Sequence, residues 1–139
     1  MKNGEYRHPI SGIDANGRPY SCGGLGYYGR PKGRDDELLD NLSPVEQEIV
    51  LLWIRERLMP RKTVNDRHTS YGLKHCMEHD TGIYMTNNAF KDAMLHCGYA
   101  PHDEHELNWT YCISEQSPAF RRRNNDRGWY YRQLAAALS

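Results

Sequence analysis

Cysteine and histidine crowd one short stretch of the chain: Leu73-Lys74-His75-Cys76-Met77-Glu78-His79 sets a thiol between two imidazoles. Cys76 and His79 form a C-x2-H pair and Cys97 and His102 a C-x4-H pair, with His96, His105 and Cys112 close by in sequence. Thiolates and imidazoles are ligands that zinc takes in a tetrahedron, so Cys76, His79, Cys97 and His102 are the candidate metal ligands. Their spacing matches no zinc-finger signature. On a helix wheel, Cys76 falls at the border of an apolar side built from Leu73, Met77 and Asp80, with Lys74, His75 and Glu78 opposite, and a cysteine there packs as a small hydrophobe. Cys97 in the same way continues a stripe of Phe90, Ala93 and Met94. Packing is the simpler account of both thiols, and no cofactor is expected.

Catalytic constellations are harder to find. A nucleophile needs an oriented base within hydrogen-bond reach, and the four cysteines and seven histidines single out no such pair. The stretch Cys22-Gly-Gly-Leu-Gly-Tyr-Tyr-Gly-Arg-Pro-Lys-Gly33 is glycine-rich but lacks G-x-x-x-x-G-K-[ST]. The acidic cluster Asp35, Asp36, Glu37 and Asp40 leads into a helix, where it favours the N-terminal dipole. The chain is therefore read as a binding protein and not an enzyme.

Residues suited to binding lie toward both ends. Tyr20, Tyr27 and Tyr28 interleave with Arg18, Arg30, Lys32 and Arg34 in a glycine background, a composition that stacks on bases or guanidinium groups and contacts phosphates. Arg121, Arg122, Arg123, Arg127 and Arg132 form the strongest basic run. These two segments are the candidate contacts for a phosphate backbone or an acidic protein surface.

The elements that must hold these residues read as follows. Asn41-Leu-Ser-Pro-Val-Glu carries the marks of a helix start, with Ser43 as cap, Pro44 at the first position and Glu46 three after the cap. Pro60 ends that run. A second helix starts after Thr69 or Ser70 and stops near Gly82; Ile83-Tyr84-Met85 is a short extended piece; Thr86 caps a third helix that Gly98 ends. Asn87, Asn88, Lys91, Asp92, Leu95 and His96 are expected on its outward face, which is poor in cations for a reader of DNA. Leu107, Trp109, Tyr111 and Ile113 alternate with polar residues, as in a strand. A hairpin is expected around Asn16-Gly17, and a short terminal helix near 129 to 138. The expected class is mainly α with a small β component: a helix-turn-helix or winged-helix-like core over 43–116, an irregular Gly/Tyr/Arg-rich arm over 1–42 and a basic segment over 117–139.

Charge sharpens this division. The chain is formally neutral, yet residues 1 to 67 carry 11 Lys and Arg against 10 Asp and Glu, residues 68 to 113 carry 2 against 6, and residues 114 to 139 carry 5 against 2. Neutrality argues against a plain coat for duplex DNA, whose non-specific affinity comes from cations. Four cysteines in 139 residues are too sparse for a disulfide scaffold, and no run is apolar enough for a membrane span or a secretory leader. Reduced thiols and a cytoplasmic location are expected.

Across residues 69 to 114, the positions Tyr71, Gly72, Leu73, Lys74, His75, Asn87, Phe90, Lys91, Met94 and Gly98 resemble a pattern of small accessory proteins of phages and other mobile elements of Gram-positive bacteria. Such proteins include DNA-associated factors and inhibitors of CRISPR nucleases. The resemblance implies a partner that is a host protein or ribonucleoprotein complex, a Cas nuclease among them, with nucleic acid as a further contact and no membrane. The helix-turn-helix order leaves a DNA-binding transcriptional regulator as one alternative, and the density of Cys and His a zinc-stabilised interaction module as another. The resemblance assigns no functional residue.

Overall fold

The computed structural model describes residues 38–104, 106–121 and 128–138, and the backbone of 10–13 and 19–22; for 128–129, too, only the backbone is described. The described chain is mainly helical, with a small antiparallel sheet.

At the N-terminal end, β1 (Ile10–Ile13) pairs antiparallel with β2 (Pro19–Cys22) in a register that joins Ile10 to Cys22 and Ile13 to Pro19. That register centres on residue 16, where the Asn-Gly pair placed the hairpin.

Helix α1 (Pro44–Arg57) begins as its sequence dictates. Ser43 Oγ accepts the amide of Glu46 at 3.2 Å and the Ser43 amide donates to Glu46 Oε1 at 3.1 Å, which satisfies two otherwise orphaned donors. Ile49, Val50, Trp53 and Ile54 turn inward. The chain then runs into β3 (Pro60–Thr69), an element with no counterpart in the periodicity reading. Helix α2 (Ser70–Thr81) follows directly, capped by Thr69 and closed by Gly82 at φ 76°. A segment at 83–85 buries Ile83 and Met85 and exposes Tyr84, extended but not paired into a sheet. Helix α3 (Asn87–His96), capped by Thr86, leads to β4 (Thr110–Ile113), shorter than the alternating run around it. Helix α4 (Gly128–Leu138) lies against α1 and α2. There Tyr131 is buried and its hydroxyl donates to Glu56 at 2.7 Å, while Arg132 donates twice to the carbonyl of His79 at the end of α2, at 2.7 and 3.0 Å.

One core unites these elements, with Trp53, Leu73, Phe90, Met94, Trp109 and Tyr111 among its fully buried members. It draws in Leu38 and Leu39, ahead of α1, and Tyr131 in α4. Aromatic and branched side chains of this size supply most of the apolar burial that offsets chain entropy.

Two expectations about faces are corrected. Helix α3 is buried along its whole length from Asn88 to Leu95, so Asn88, Lys91, Asp92 and Leu95 do not point outward; His96 is exposed and Asn87 half-buried. Two of the polar members have a partner inside: Asp92 Oδ2 accepts the Leu39 amide at 2.9 Å, and the Lys91 ammonium sits 4.7 Å from the centroid of the Trp109 ring. On α2, Lys74 was expected on the solvent side with Glu78 and is likewise buried. Asp80 was placed correctly with Leu73 and Met77: its Oδ2 accepts the indole N–H of Trp53 at 2.8 Å.

Candidate binding interface

Strand β3 is Pro-Arg-Lys-Thr-Val-Asn-Asp-Arg-His-Thr, without the alternation of a half-buried strand. Its ten residues face the four of β4, paired as Pro60 to Ile113, Asn65 to Tyr111 and Thr69 to Thr110, so two bulges carry the surplus residues outward. Arg61 folds over the first bulge and donates to the carbonyls of Thr63 at 3.0 Å and Val64 at 2.9 Å. In the second, the buried Asn65 does the work of a ladder bond with its side chain, donating to the Ile113 carbonyl at 3.2 Å and to Glu115 at 2.9 Å. Its Oδ1 accepts the Arg67 amide at 3.0 Å.

The second bulge holds the start of the basic segment. Residues 114 to 121 form a tight turn: the Ser117 hydroxyl donates to the Ser114 carbonyl at 2.7 Å and accepts the Met59 amide at 2.8 Å, and Pro118–Phe120 adds one turn of 3-10 helix. This presents Phe120 flat against His68, with ring centroids 3.7 Å apart and planes within 7°. His68 Nε2 lies 3.1 and 3.2 Å from the two Glu115 oxygens. An ionised carboxylate only accepts, so Nε2 carries the proton. The hydrogen bond from Asn65, then that from His68, holds the Glu115 carboxyl below the usual carboxylate range. With one nitrogen given to Glu115 and one face covered by Phe120, His68 is an anchor for this turn. Arg121, next in the chain, is exposed and donates to Gln116 at 3.1 Å.

Arg121 thus follows a residue stacked on His68, the neighbour in sequence of Arg67, whose guanidinium is largely solvent-exposed and 3.8 Å from Glu115. Lys62, on the first bulge, is also exposed. The arrangement offers cations on protruding backbone, suited to phosphates or carboxylates.

Of the binding residues read from the sequence, Arg121 lies here. Tyr20 is in β2 opposite Gly12, known by its backbone alone. Tyr27, Tyr28, Arg30, Lys32 and Arg34, and Arg122, Arg123 and Arg127, lie outside the described residues. The candidate metal ligands are spread out in role: Cys76 is half-buried against the core, His79 exposed, and the His102 amide donates to the Thr110 carbonyl at 2.8 Å. Cys97 Sγ points to the Leu51 carbonyl at 3.8 Å, and burial pushes its thiol up to about 11. Among the described residues, no three His, Cys, Asp or Glu side chains are grouped to hold an ion. Cys76, Cys97 and Cys112 are not joined in disulfides. Asn65, Arg67, His68 and Glu115 were not singled out in the sequence; the polar run after Pro60 was their only signal.

No helix among the described residues is long and apolar enough to cross a membrane. No protein family, characterised protein or solved structure matches this chain.

Proposed function

We propose that this chain is a non-enzymatic binding protein that engages a nucleic-acid-handling complex through the bulged strand β3 and the basic segment beginning at Arg121. The observation that carries the reading is the His68–Phe120 stack, tied by Glu115 and Asn65, which fixes the residue before the exposed Arg121 against the residue after the exposed Arg67. Rigid backbone under flexible cations lowers the entropy lost on binding. In keeping with the resemblance over residues 69 to 114, the partner is taken to be a cytoplasmic host ribonucleoprotein, an RNA-guided CRISPR nuclease first among them, and the outcome its inhibition.

The succession of helix, strand, helix, helix and strand in α1, β3, α2, α3 and β4 supports a winged-helix-like reading of the core. A regulator that reads bases with its third helix is the weaker account of function, because Asn88, Lys91 and Asp92 are buried. A zinc-stabilised module is weaker too, since a buried Cys97 thiol held protonated gives up its proton only at a cost.

The test is co-purification of the full chain with candidate Cas effectors, together with a cleavage assay. A stable complex with lost cleavage, weakened by replacing Arg67 and Arg121 with Glu, is the expected result. No complex with any effector and undiminished cleavage would overturn it.

A further inference from the structure

A second surface lies at the corner where the start of α2, the α2–α3 connection and the 103–109 loop meet. Hydrogen bonds join these pieces: the Ser70 amide donates to the Trp109 carbonyl at 2.7 Å, the Trp109 amide to Ser70 Oγ at 3.0 Å, and Asn87 Nδ2 to Asn108 Oδ1 at 3.0 Å. Three large hydrophobic residues stand exposed there, Tyr71 at 51 %, Tyr84 at 66 % and Leu107 at 50 %.

Neither tyrosine is a loose surface ring. Between them lies the ammonium of Lys74, a residue only 4 % exposed, 5.4 Å from the Tyr71 centroid and 5.2 Å from that of Tyr84. Burying an ammonium is costly unless it is paired, and Glu78 pairs it at 3.1 Å while also accepting the Met85 amide at 3.2 Å. His75 meets Tyr71 edge-on, with centroids 4.5 Å apart and planes at 86°. The two rings are thus set in place before any partner arrives.

The charge supplied by this stretch of the chain is mainly negative, and the Arg132 guanidinium that lies by Gly82 is spent on the His79 carbonyl. Residues 68 to 113 contain two lysines and no arginine, and both Lys74 and Lys91 are buried. Glu78 neutralises Lys74. Asp103 and Glu106 are exposed in the loop that ends at Leu107, and the Glu106 amide donates to the Asp103 carbonyl at 3.3 Å. Aromatic faces with carboxylates close by in the chain favour guanidinium over phosphate.

We propose that the Tyr71–Tyr84 corner is a docking site for an arginine-bearing segment of a partner protein, its guanidinium stacking on the tyrosine faces and further cations meeting Asp103 and Glu106. The proposal does not rest on the basic surface at β3, and its test stands apart from the nuclease assay. Full-length protein is titrated at about pH 8, above the imidazole range, with a labelled arginine–glycine peptide, a lysine–glycine peptide of equal length and a single-stranded oligonucleotide.

The arginine peptide should bind more tightly than the lysine peptide, because guanidinium stacks on aromatic faces better than ammonium does. Tyr84→Ala or Tyr71→Ala should weaken it roughly fivefold each, the size of an exposed cation–π contact. Tyr→Phe at both sites keeps the rings and should keep the affinity, with a melting temperature that shows the fold intact. Asp103→Asn with Glu106→Gln should weaken binding and flatten its salt dependence. Equal affinity for the two peptides, unchanged binding in Tyr84→Ala, lost binding in the Phe variants, or an oligonucleotide that depends on these tyrosines would each overturn the proposal.

Discussion

The sharpest energetic claim concerns Asp80, a carboxylate 3 % exposed between α1 and α2. One oxygen, Oδ2, accepts the Trp53 indole N–H at 2.8 Å and lies 3.9 Å from Nε of the buried Arg57. In Asp80→Ala the indole N–H, on a side chain with no exposure, loses its acceptor, which costs about 1–3 kcal/mol. Arg57 loses its carboxylate, and breaking a buried ion pair from one side costs about 3–5 kcal/mol. The two losses share one oxygen and the Arg57 contact is long, so they do not add, and the expected total is about 3 kcal/mol.

Asp80→Asn keeps the volume and a carbonyl acceptor while removing the charge, and should cost about 1 kcal/mol, the difference between a charge-assisted and a neutral hydrogen bond. Urea unfolding followed by circular dichroism measures both, and with a slope of about 2 kcal/mol per molar the Ala variant shifts the midpoint by about 1.5 M. Trp53→Phe removes the donor, and Asp80→Ala in that background should cost about 1 kcal/mol less than in the parent. An additive double mutant, or an Asn variant as damaging as the Ala variant, would refute the hydrogen-bond account.

The remaining predictions concern segments held by a few atoms. His96, 3.4 Å from Asp92, has its affinity for a proton raised chiefly by that hydrogen bond, with Asp40 as a further negative neighbour. Its contribution is complete below the ordinary imidazole value of about 6.5 and is lost as pH rises through the raised folded value, so melting of His96→Gln should fall short of the parent in mild acid and converge with it in alkali; a constant gap refutes this. At Gly82, with φ 76°, an added Cβ would lie 3.1 Å from Arg132 Nη1, so Gly82→Ala should cost about 1–2 kcal/mol in the same urea assay. Glu115→Ala removes the acceptor of His68 and Asn65 and should speed amide exchange at Ser117, Phe120 and Arg121, whose amides close the turn; unchanged exchange would mean that Phe120 alone holds it.

Local signals in the sequence found local structure well. The capping box at Ser43 and Glu46, the caps at Thr69 and Thr86, and the glycines at 82 and 98 each act within a few residues, and each sits where its chemistry requires. Strand β3 escaped for an equally physical reason. A strand is recognised by side chains that alternate toward a core, whereas β3 is held by three pairings and by Asn65, Arg61 and His68 acting through side-chain hydrogen bonds. A run in which polar side chains bond to backbone and to each other reads as a loop. Phe120 and Glu115 were hidden with it, since their partner His68 is 47 residues from Glu115 in the chain.

Lysine burial was the other blind spot, and it alters the electrostatic argument itself. A helix wheel sends lysine to solvent because an isolated ammonium is expensive to bury. Lys74 and Lys91 are exceptions made possible by rings that the wheel does not see: Tyr84 lies in the α2–α3 connection and Trp109 at the mouth of β4. Asp80 and Asp92 are inside with them, so what changes is less the net charge than where the exposed charges stand. Residues 68 to 113 expose Asp103 and Glu106 with no described Lys or Arg in the open, while Lys62 and Arg67 stand exposed on the bulged strand and Arg121 at the end of the turn anchored to it. A net charge of zero weakens binding to phosphate only when the charges are mixed. Burial of Lys74 and Lys91 leaves the exposed charge of residues 68 to 113 to carboxylates, and the two proposed surfaces rest on that distribution and not on the net charge.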